Sequence, residues 1–320
     1  MGDLFDSWLD ARPADETPSD GELMPGTRIG ECKVVALLGR GGFAEVYRGE
    51  DADGKPVAIK ILHRLDDKSR ARFEMETKVL LQVHHPNFPR MLSFGSCGER
   101  PYVVMELLKG CELPDKDRAV ARFLRKLSAA VAELHRHGWV HRDIKPSNIL
   151  SRADGELVLS DFGLVCPLSN AERERNALSV ENALQVGVGT KPYAAPEQFN
   201  GQPVGRPADV HALGMLVRDC FDGKMPKCWE RIFLSATNTN PEIRYQTAEK
   251  LCEAIRRRHW QRMLVLAVPL LLLAGFIVAE VTWAPFAKVR EEQQDREIQT
   301  FFTNKVESID KVRLKVSSRP

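Results

Sequence analysis

Along the chain the alternation of apolar and polar positions changes character, and the changes mark its organisation. Short apolar-rich runs, Cys32 to Leu38, Glu45 to Glu50 and Pro56 to Leu62, are separated by glycine turns and predict three strands. From Lys68 to Val83 the spacing predicts a helix, and Met91 to Phe94 with Tyr102 to Glu106 predict a further strand pair. After Lys109-Gly110 the period lengthens. Apolar residues at 120, 123, 124, 127, 131 and 134 fall on one face of a helix from Arg118 to His137. Asn148 to Leu150 and Leu157 to Ser160 then read as short strands, Asp161 to Glu197 as a loop-like interval, and the remainder as mostly helical. The expected result is a compact α+β unit from Ile29 to about Arg258, strands gathered first and helices after. No internal repeat at solenoid periods interrupts it.

Two flanking stretches follow other patterns. Residues 1–27 hold Asp3, Asp6, Asp10, Asp15, Glu16, Asp20 and Glu22 against a single Arg12, with three prolines. Such a segment buries too little apolar surface to offset its ordering entropy and reads as a flexible acidic leader, although Leu4, Phe5, Trp8 and Leu9 also fit a short docking helix. At the other end, Met263 to Ala279 is apolar without a charge, and Val281 to Ala287 extends it beyond Glu280. Seventeen residues reach the lower limit of a hydrocarbon crossing and about 24 cross it with tilt, so residues 263–284 are expected to form one transmembrane helix.

The charges around that run orient it. Arg256, Arg257 and Arg258, then the basic juxtamembrane residues 259–262, outweigh the cations that follow. The positive-inside bias therefore expects residues 1–262 on the cytoplasmic side of the cell's inner membrane. Residues 285–320 form a short charged helical tail with Ile298, Phe302, Val306 and Ile309 on one stripe. That stripe fits a dimerising helix, hence a homodimer, and fits a solvated stalk equally.

Composition narrows the function classes. A chain of 320 residues holds one large or two ordinary domains with a real core. A net charge of +2 leaves no nucleic-acid footprint. Seven scattered cysteines without a C-x-x-C pair suggest neither a disulfide framework nor a zinc site, and fit a reducing compartment. The N-terminus lacks the basic-then-apolar order of a secretory signal.

Candidate chemistry centres on His141-Arg142-Asp143-Ile144-Lys145-Pro146-Ser147-Asn148, a segment between a helix-like and a strand-like run. A carboxylate there can take a hydroxyl proton, a lysine can neutralise a moving phosphoryl group, and an asparagine oxygen can hold Mg²⁺. Upstream, Gly39-Arg40-Gly41-Gly42-Phe43-Ala44 is a glycine-rich turn between strands, where backbone amides can approach phosphate oxygens. The following strand, not a helix opening with Gly-Lys-Ser/Thr, argues against a Walker loop. Val57-Ala58-Ile59-Lys60 places a lysine at the end of an apolar strand, where it needs an acidic partner; Glu76 is the candidate and Glu74 the rival. Downstream, Asp161-Phe162-Gly163 sets a hard-cation ligand at a strand's end.

In this order the blocks resemble the eukaryotic-like Ser/Thr protein kinase family, in particular its membrane-anchored bacterial members, over residues 29–258. The resemblance implies a bilobal fold, a β-rich lobe at 28–108 and a helical lobe at 109–258. It implies ATP and Mg²⁺ as cofactors, with Mn²⁺ an alternative ion, and protein substrates bearing Ser or Thr. By that resemblance Gly39, Gly41 and Ala44 match the phosphate-covering loop, with Gly42, Val46 and Ala58 lining the same site. Lys60 matches the lysine of the α- and β-phosphates and Glu76 its ion-pair partner. Met105 would back the adenine, with Glu106 to Leu108 as the hinge. Asp143 would be the base, Lys145 the lysine at the transferred group, and Asn148 and Asp161 the metal ligands. Ala195-Pro196-Glu197 would close the activation segment, Asp209 support the catalytic loop, and Arg244 pair with Glu197. Arg142 resembles kinases whose activation segment is organised by phosphorylation, with Ser169 and Ser179 as candidate sites.

Three departures stand out. Ala44 replaces a third glycine, Lys191-Pro192-Tyr193-Ala194 replaces the usual run there, and only about 35 residues separate Asp209 from Arg244. The alternative function is a pseudokinase, a membrane-tethered nucleotide-binding scaffold. A scaffold needs none of Lys60, Glu76, Asp143, Asn148 and Asp161, and all are present.

Overall fold

The computed structural model describes residues 22–168, 189–200, 202–222 and 224–317. The chain divides into two compact units, Met1–Arg256 and Arg257–Pro320. Residues 1–21 of the acidic leader and the candidate sites Ser169 and Ser179 lie outside the described residues.

The first unit opens with a six-stranded antiparallel sheet in the order β1-β2-β3-β4-β6-β5. Its strands are β1 (Arg28–Ile29), β2 (Cys32–Arg40), β3 (Ala44–Glu50), β4 (Pro56–Leu62), β5 (Met91–Cys97) and β6 (Arg100–Glu106). Strand alternation sends Tyr47, Val57, Ile59, Ile61 and Val104 into one cluster with Leu23 and Ile29. The opposite side packs Ala44, Leu62 and Val103 against Phe73 of α1 (Asp67–Gln82). Each fully buried valine, leucine, isoleucine or phenylalanine among them contributes about 1.5–3 kcal/mol relative to an exposed one. Asp66 starts α1, its carboxylate accepting from the Ser69 backbone N–H at 3.0 Å.

The helical half is built around α2 (Asp117–Arg136), α4 (Arg206–Cys220) and α5 (Lys227–Ala236), with the four-residue α3 (Pro196–Phe199) before α4. The face of α2 expected from its spacing is the face that is buried: Val120, Leu124, Leu127, Val131 and Leu134 are wholly inaccessible. α4 is buried on most sides, including Val210, Leu213, Leu216 and Val217. α5 approaches it so closely that a Cβ on Gly214 would come within 2.7 Å of the Ala236 Cβ. Trp229 of α5 is fully buried and donates from Nε1 to Asp117 at 2.6 Å, joining α5 to the start of α2.

Short strands join these halves. β7 (Lys109–Gly110) pairs with β9 (Ile149–Ser151), which pairs with β10 (Leu157–Leu159). β8 (Trp139–Val140) pairs with β11 (Cys166–Pro167), inside the interval expected to be loop. Two residues are too few to carry an alternation signal, which is why neither strand was legible.

α6 (Ala248–Ser317) begins in the first unit and supplies the second. Its described side chains in the apolar run cover residues 267–283, fewer than the expected span of 263–284. Among the described residues, no helix is long and apolar enough to cross a membrane.

Candidate active site

The segment after β8 is shaped by a buried carboxylate from α4. Asp209 accepts from the backbone N–H groups of His141 at 2.9 Å and Arg142 at 2.8 Å, and from His135 Nε2 at 2.8 Å. Burial alone would raise the Asp209 carboxyl, but these donors hold it below its ordinary value. Arg142 is thereby fixed with φ of 70°, a left-handed conformation that non-glycine residues rarely adopt. The turn delivers Asp143, Lys145 and Asn148 to one point. Lys145 Nζ lies 2.8 Å from Asp143 Oδ2, and Asn148 Nδ2 donates to the Asp143 carbonyl at 2.8 Å and to Oδ2 at 3.1 Å. The other carboxylate oxygen, Oδ1, accepts the Thr190 hydroxyl at 2.9 Å, and Lys145 Nζ donates to that same hydroxyl at 2.8 Å.

A second cluster forms on the sheet. Registers across β2, β3, β4 and β6 align Gly39 with Val46, Val46 with Lys60, and Lys60 with Val103, while Ala58 faces Met105. Cross-strand partners share a face, so Gly39, Val46, Ala58, Lys60 and Met105 lie on one side of the sheet. Glu106, one residue beyond Met105, turns its side chain to the opposite face, where it meets Arg152. Leu108 is half-buried between β6 and β7.

Lys60 Nζ donates to both oxygens of Glu76, at 2.6 and 2.7 Å, and lies 3.5 Å from Asp161 Oδ1. Burial alone would lower its pKa, but Glu76 and then Asp161 outweigh it and hold the ammonium above its ordinary value. Glu74 takes no part in this pair; it is half-buried, with Arg70 as its charged neighbour. Asp161 has φ of 63° and keeps its side chain 44% exposed, and Lys60 beside it lowers its carboxyl below the ordinary value. Phe162 is buried behind it, edge-on to Phe88 and 5.1 Å from the His141 ring, so this turn is clamped to the Asp143 loop.

Around the glycine turn, Gly41 donates to the Ala44 carbonyl at 2.8 Å, and Ala44 is buried at the start of β3. A Cβ at Gly39 or Gly42 would meet nothing within 4 Å, so packing within the protein requires neither glycine. Phe43 reaches from the turn toward Gly163, where a Cβ would come within 2.9 Å of its ring; Gly163 is needed for that approach.

Two further anchors hold the site. Arg244 donates to both oxygens of Glu197, at 2.6 and 2.8 Å, in a pair almost fully buried. Gln198 accepts from the Ala195 N–H at 3.0 Å and donates to the Arg142 carbonyl at 2.9 Å, tying α3 to the loop that carries Asp143. The bonds of Gln198 to Arg142 and of Arg152 to Glu106 carry no local sequence signal, because they span 56 and 46 residues. Among the described residues no cluster of three or more His, Cys, Asp or Glu side chains could hold a metal ion by itself. Ser160, next to Asp161 in the chain, donates to the Asn148 carbonyl from its backbone N–H at 2.8 Å and from its hydroxyl at 3.0 Å.

These positions and this architecture are those of a phosphotransferase fold. Residues 32–271 match the family model described as protein kinase domain, well over half of the 320 residues, and the chain belongs to that family. Curated proteins similar to it include bacterial serine/threonine-protein kinases. The DNA damage-responsive serine/threonine-protein kinase RqkA of Deinococcus radiodurans is 37% identical over 218 residues, 64% of this chain and 32% of the relative. Serine/threonine-protein kinase PknL of Mycobacterium tuberculosis is 33% identical over 207 residues, 60% of this chain and 49% of the relative. A probable serine/threonine-protein kinase PknB of Lactococcus lactis is 29% identical over 236 residues, 66% and 36% respectively. The match thus spans a third to a half of the length of these relatives.

Proposed function

We propose that the chain is an ATP- and Mg²⁺-dependent protein serine/threonine kinase that also phosphorylates itself, tethered to the inner face of the cell membrane. The observation that carries the reading is the Thr190 hydroxyl held between Asp143 Oδ1 at 2.9 Å and Lys145 Nζ at 2.8 Å. A serine or threonine hydroxyl of a substrate offered to the same carboxylate oxygen is oriented for in-line attack on the γ-phosphorus. The new oxygen–phosphorus bond forms as the bond to the β-phosphate oxygen breaks; ADP leaves and the hydroxyl proton passes to Asp143. Lys145 offsets charge on the transferred group, while Lys60, kept cationic by Glu76, faces the α- and β-phosphates.

The residues present fit a hard divalent cation. Asn148 commits its amide nitrogen to Asp143, which leaves its Oδ1, reached within the protein by the Ser147 hydroxyl at 3.5 Å, able to accept a cation. Mg²⁺ or Mn²⁺ held there would neutralise phosphate oxygens. Gly39 and Gly42, whose missing side chains serve no internal packing, suit close approach of backbone amides to the same phosphates.

The kinase domain is assigned to residues 28–258, with lobes at 28–108 and 109–258, followed by basic residues 259–262, a single membrane-crossing helix at 263–284 and the tail at 285–320. Support for the crossing comes from the uncharged sequence run and from its side chains. Leu270, Leu271, Leu272, Leu273, Phe276, Ile277 and Val278 are all more than half exposed and surround the helix. Such a surface is costly in water and favourable in lipid. The arginines before it set the orientation. A reporter fused after Pro320 is expected to be active on the outer side only; activity in the cytoplasm overturns the single-span reading.

For the chemistry, the full chain purified in detergent is incubated with labelled ATP and Mg²⁺. Label is expected on the chain itself and on an added basic protein, and is lost in Asp143→Asn and Lys60→Met. Equal incorporation by all three overturns the assignment. Nucleotide binding without transfer by the wild type favours the scaffold.

A further inference from the structure

Arg152 lies at the turn of the β9–β10 hairpin, whose backbone it closes by donating to the Glu156 carbonyl at 2.9 Å and accepting from Gly155 at 3.0 Å. The base of that hairpin carries Asn148 on one side and Asp161 on the other, the two candidate metal ligands. Its guanidinium reaches away from both. Nε donates to Glu106 Oε2 at 2.8 Å, and Nη2 to Glu106 Oε1 at 2.7 Å and to the Phe88 carbonyl at 2.9 Å. Nη1 donates to the Pro86 carbonyl. Four acceptors therefore converge on one planar cation, whose side chain is 12% exposed.

The four acceptors come from two segments, the end of β6 and the stretch that follows α1. Glu106 ends β6 directly after Met105, and its Oε1 also accepts from the Arg90 backbone N–H at 2.9 Å. Pro86 and Phe88 lie in the segment that follows α1, the helix carrying Glu76. Between them, Asn87 donates to the Leu157 carbonyl at 2.6 Å and accepts from the Leu159 N–H at 2.8 Å, so the same segment is pinned to β10. Burial alone would raise the Glu106 carboxyl, yet Arg152 and the Arg90 amide hold it below its ordinary value. Exposed ion pairs contribute little, but a bidentate, shielded arginine fork fixes geometry as well as charge.

We propose that Arg152 is a positioning residue that fixes the adenine-side strand end at Glu106 relative to the hairpin holding Asn148 and Asp161, and thereby sets nucleotide affinity. The inference rests on the kinase reading above. A nucleotide must touch both ends at once, adenine beside β6 and phosphates beside the hairpin base. Without the fork, the two ends need ordering at the expense of binding. Phosphoryl transfer itself depends on Asp143 and Lys145, which the fork does not touch.

The experiment compares full-length wild type, Arg152→Ala, Arg152→Lys and Glu106→Gln. Four quantities are read: KM for ATP, kcat, the Kd of N-methylanthraniloyl-ADP by fluorescence, and Tm. Losing charge-assisted bonds of this kind is expected to raise both KM and Kd about tenfold in Arg152→Ala, with a much smaller change in kcat. Arg152→Lys gives little rescue, because a point charge does not span four acceptors. Glu106→Gln moves KM and Kd in the same direction, and combining it with Arg152→Ala adds little. A KM and Kd within twofold of wild type, or a fall in kcat with KM unmoved, overturns the proposal whatever happens to Tm. If Arg152→Ala does not fold, isosteric Glu106→Gln decides it alone. A wild type that binds the fluorescent ADP but transfers no phosphate defeats the kinase reading while the Kd comparison still judges Arg152. A wild type that binds no nucleotide defeats both.

Discussion

Lys60 and Glu76, sixteen residues apart, form a two-bonded ion pair at 2.6 and 2.7 Å, with the Asp161 carboxylate 3.5 Å from the same ammonium. Glu76→Gln leaves Lys60 attracted to Asp161 alone and draws it off the position it holds between them. The expected outcome is a fall in kcat/KM for ATP of at least about tenfold. Glu74→Gln, on a residue turned toward Arg70, leaves kcat/KM within about twofold of wild type. Steady-state kinetics on both variants separates the two glutamates, and the reverse ranking contradicts the pairing.

Thr190 is joined by its hydroxyl to Asp143 and Lys145 at once. Thr190→Val removes that bridge while keeping shape, and kcat is expected to drop about tenfold, as for loss of a hydrogen bond to a charged group. Thr190→Ser keeps the hydroxyl and most of the rate. Equal activity in both variants would remove Thr190 from the site.

Arg244 and Glu197 are 0% and 2% exposed at their side chains. Arg244→Ala strands a buried carboxylate, and the cost expected for breaking such a pair is about 3–5 kcal/mol. Denaturant unfolding followed by tryptophan fluorescence measures it, Trp139 and Trp229 both being buried in the same unit. A loss below about 1 kcal/mol would mean that the pair is replaced by water or by other partners.

Stability is expected to decline on acidification. Burial lowers the pKa of His141, His85 and His211 below the ordinary value of 6.5. The unfolded chain takes up these protons first as pH falls through about 6.5, so unfolding is increasingly favoured below that value. The loss levels off only once the folded-state histidines also protonate. Above about pH 7 the three are neutral in both states and contribute no slope. Unfolding midpoints at several pH values between 5 and 8 test this, and a midpoint that rises on acidification has the wrong sign. Tyr193 adds an alkaline counterpart: burial, then its bond to Asp219, pushes the phenol up to about 12. Its share of stability is lost as pH rises from about 10 toward that value.

Much of this arrangement was legible because it is carried by short-range spacing. Asp143, Lys145 and Asn148 sit within one turn, and the alternation in β3 and β4 placed Lys60 on a defined face. Spacing alone left Glu76 and Glu74 as rivals, and the family resemblance favoured Glu76. What stayed hidden depends on long-range geometry. Arg152 meets Glu106 across 46 residues and Gln198 meets Arg142 across 56, and nothing beside either residue announces it. Glu106 was expected at the hinge, and what its spacing did not announce is that its side chain meets Arg152. β8 and β11 went unread because a two-residue pairing has no pattern of its own.

The bend at Arg142, with φ of 70°, is held open by two amides that end on Asp209. The loop's working shape is therefore borrowed from a helix more than sixty residues downstream. An intermediate with a finished sheet but an unformed α4 would contain every polar residue of the site and still have no site. A chain released or cut before α4 would be expected to be inert rather than a partial enzyme.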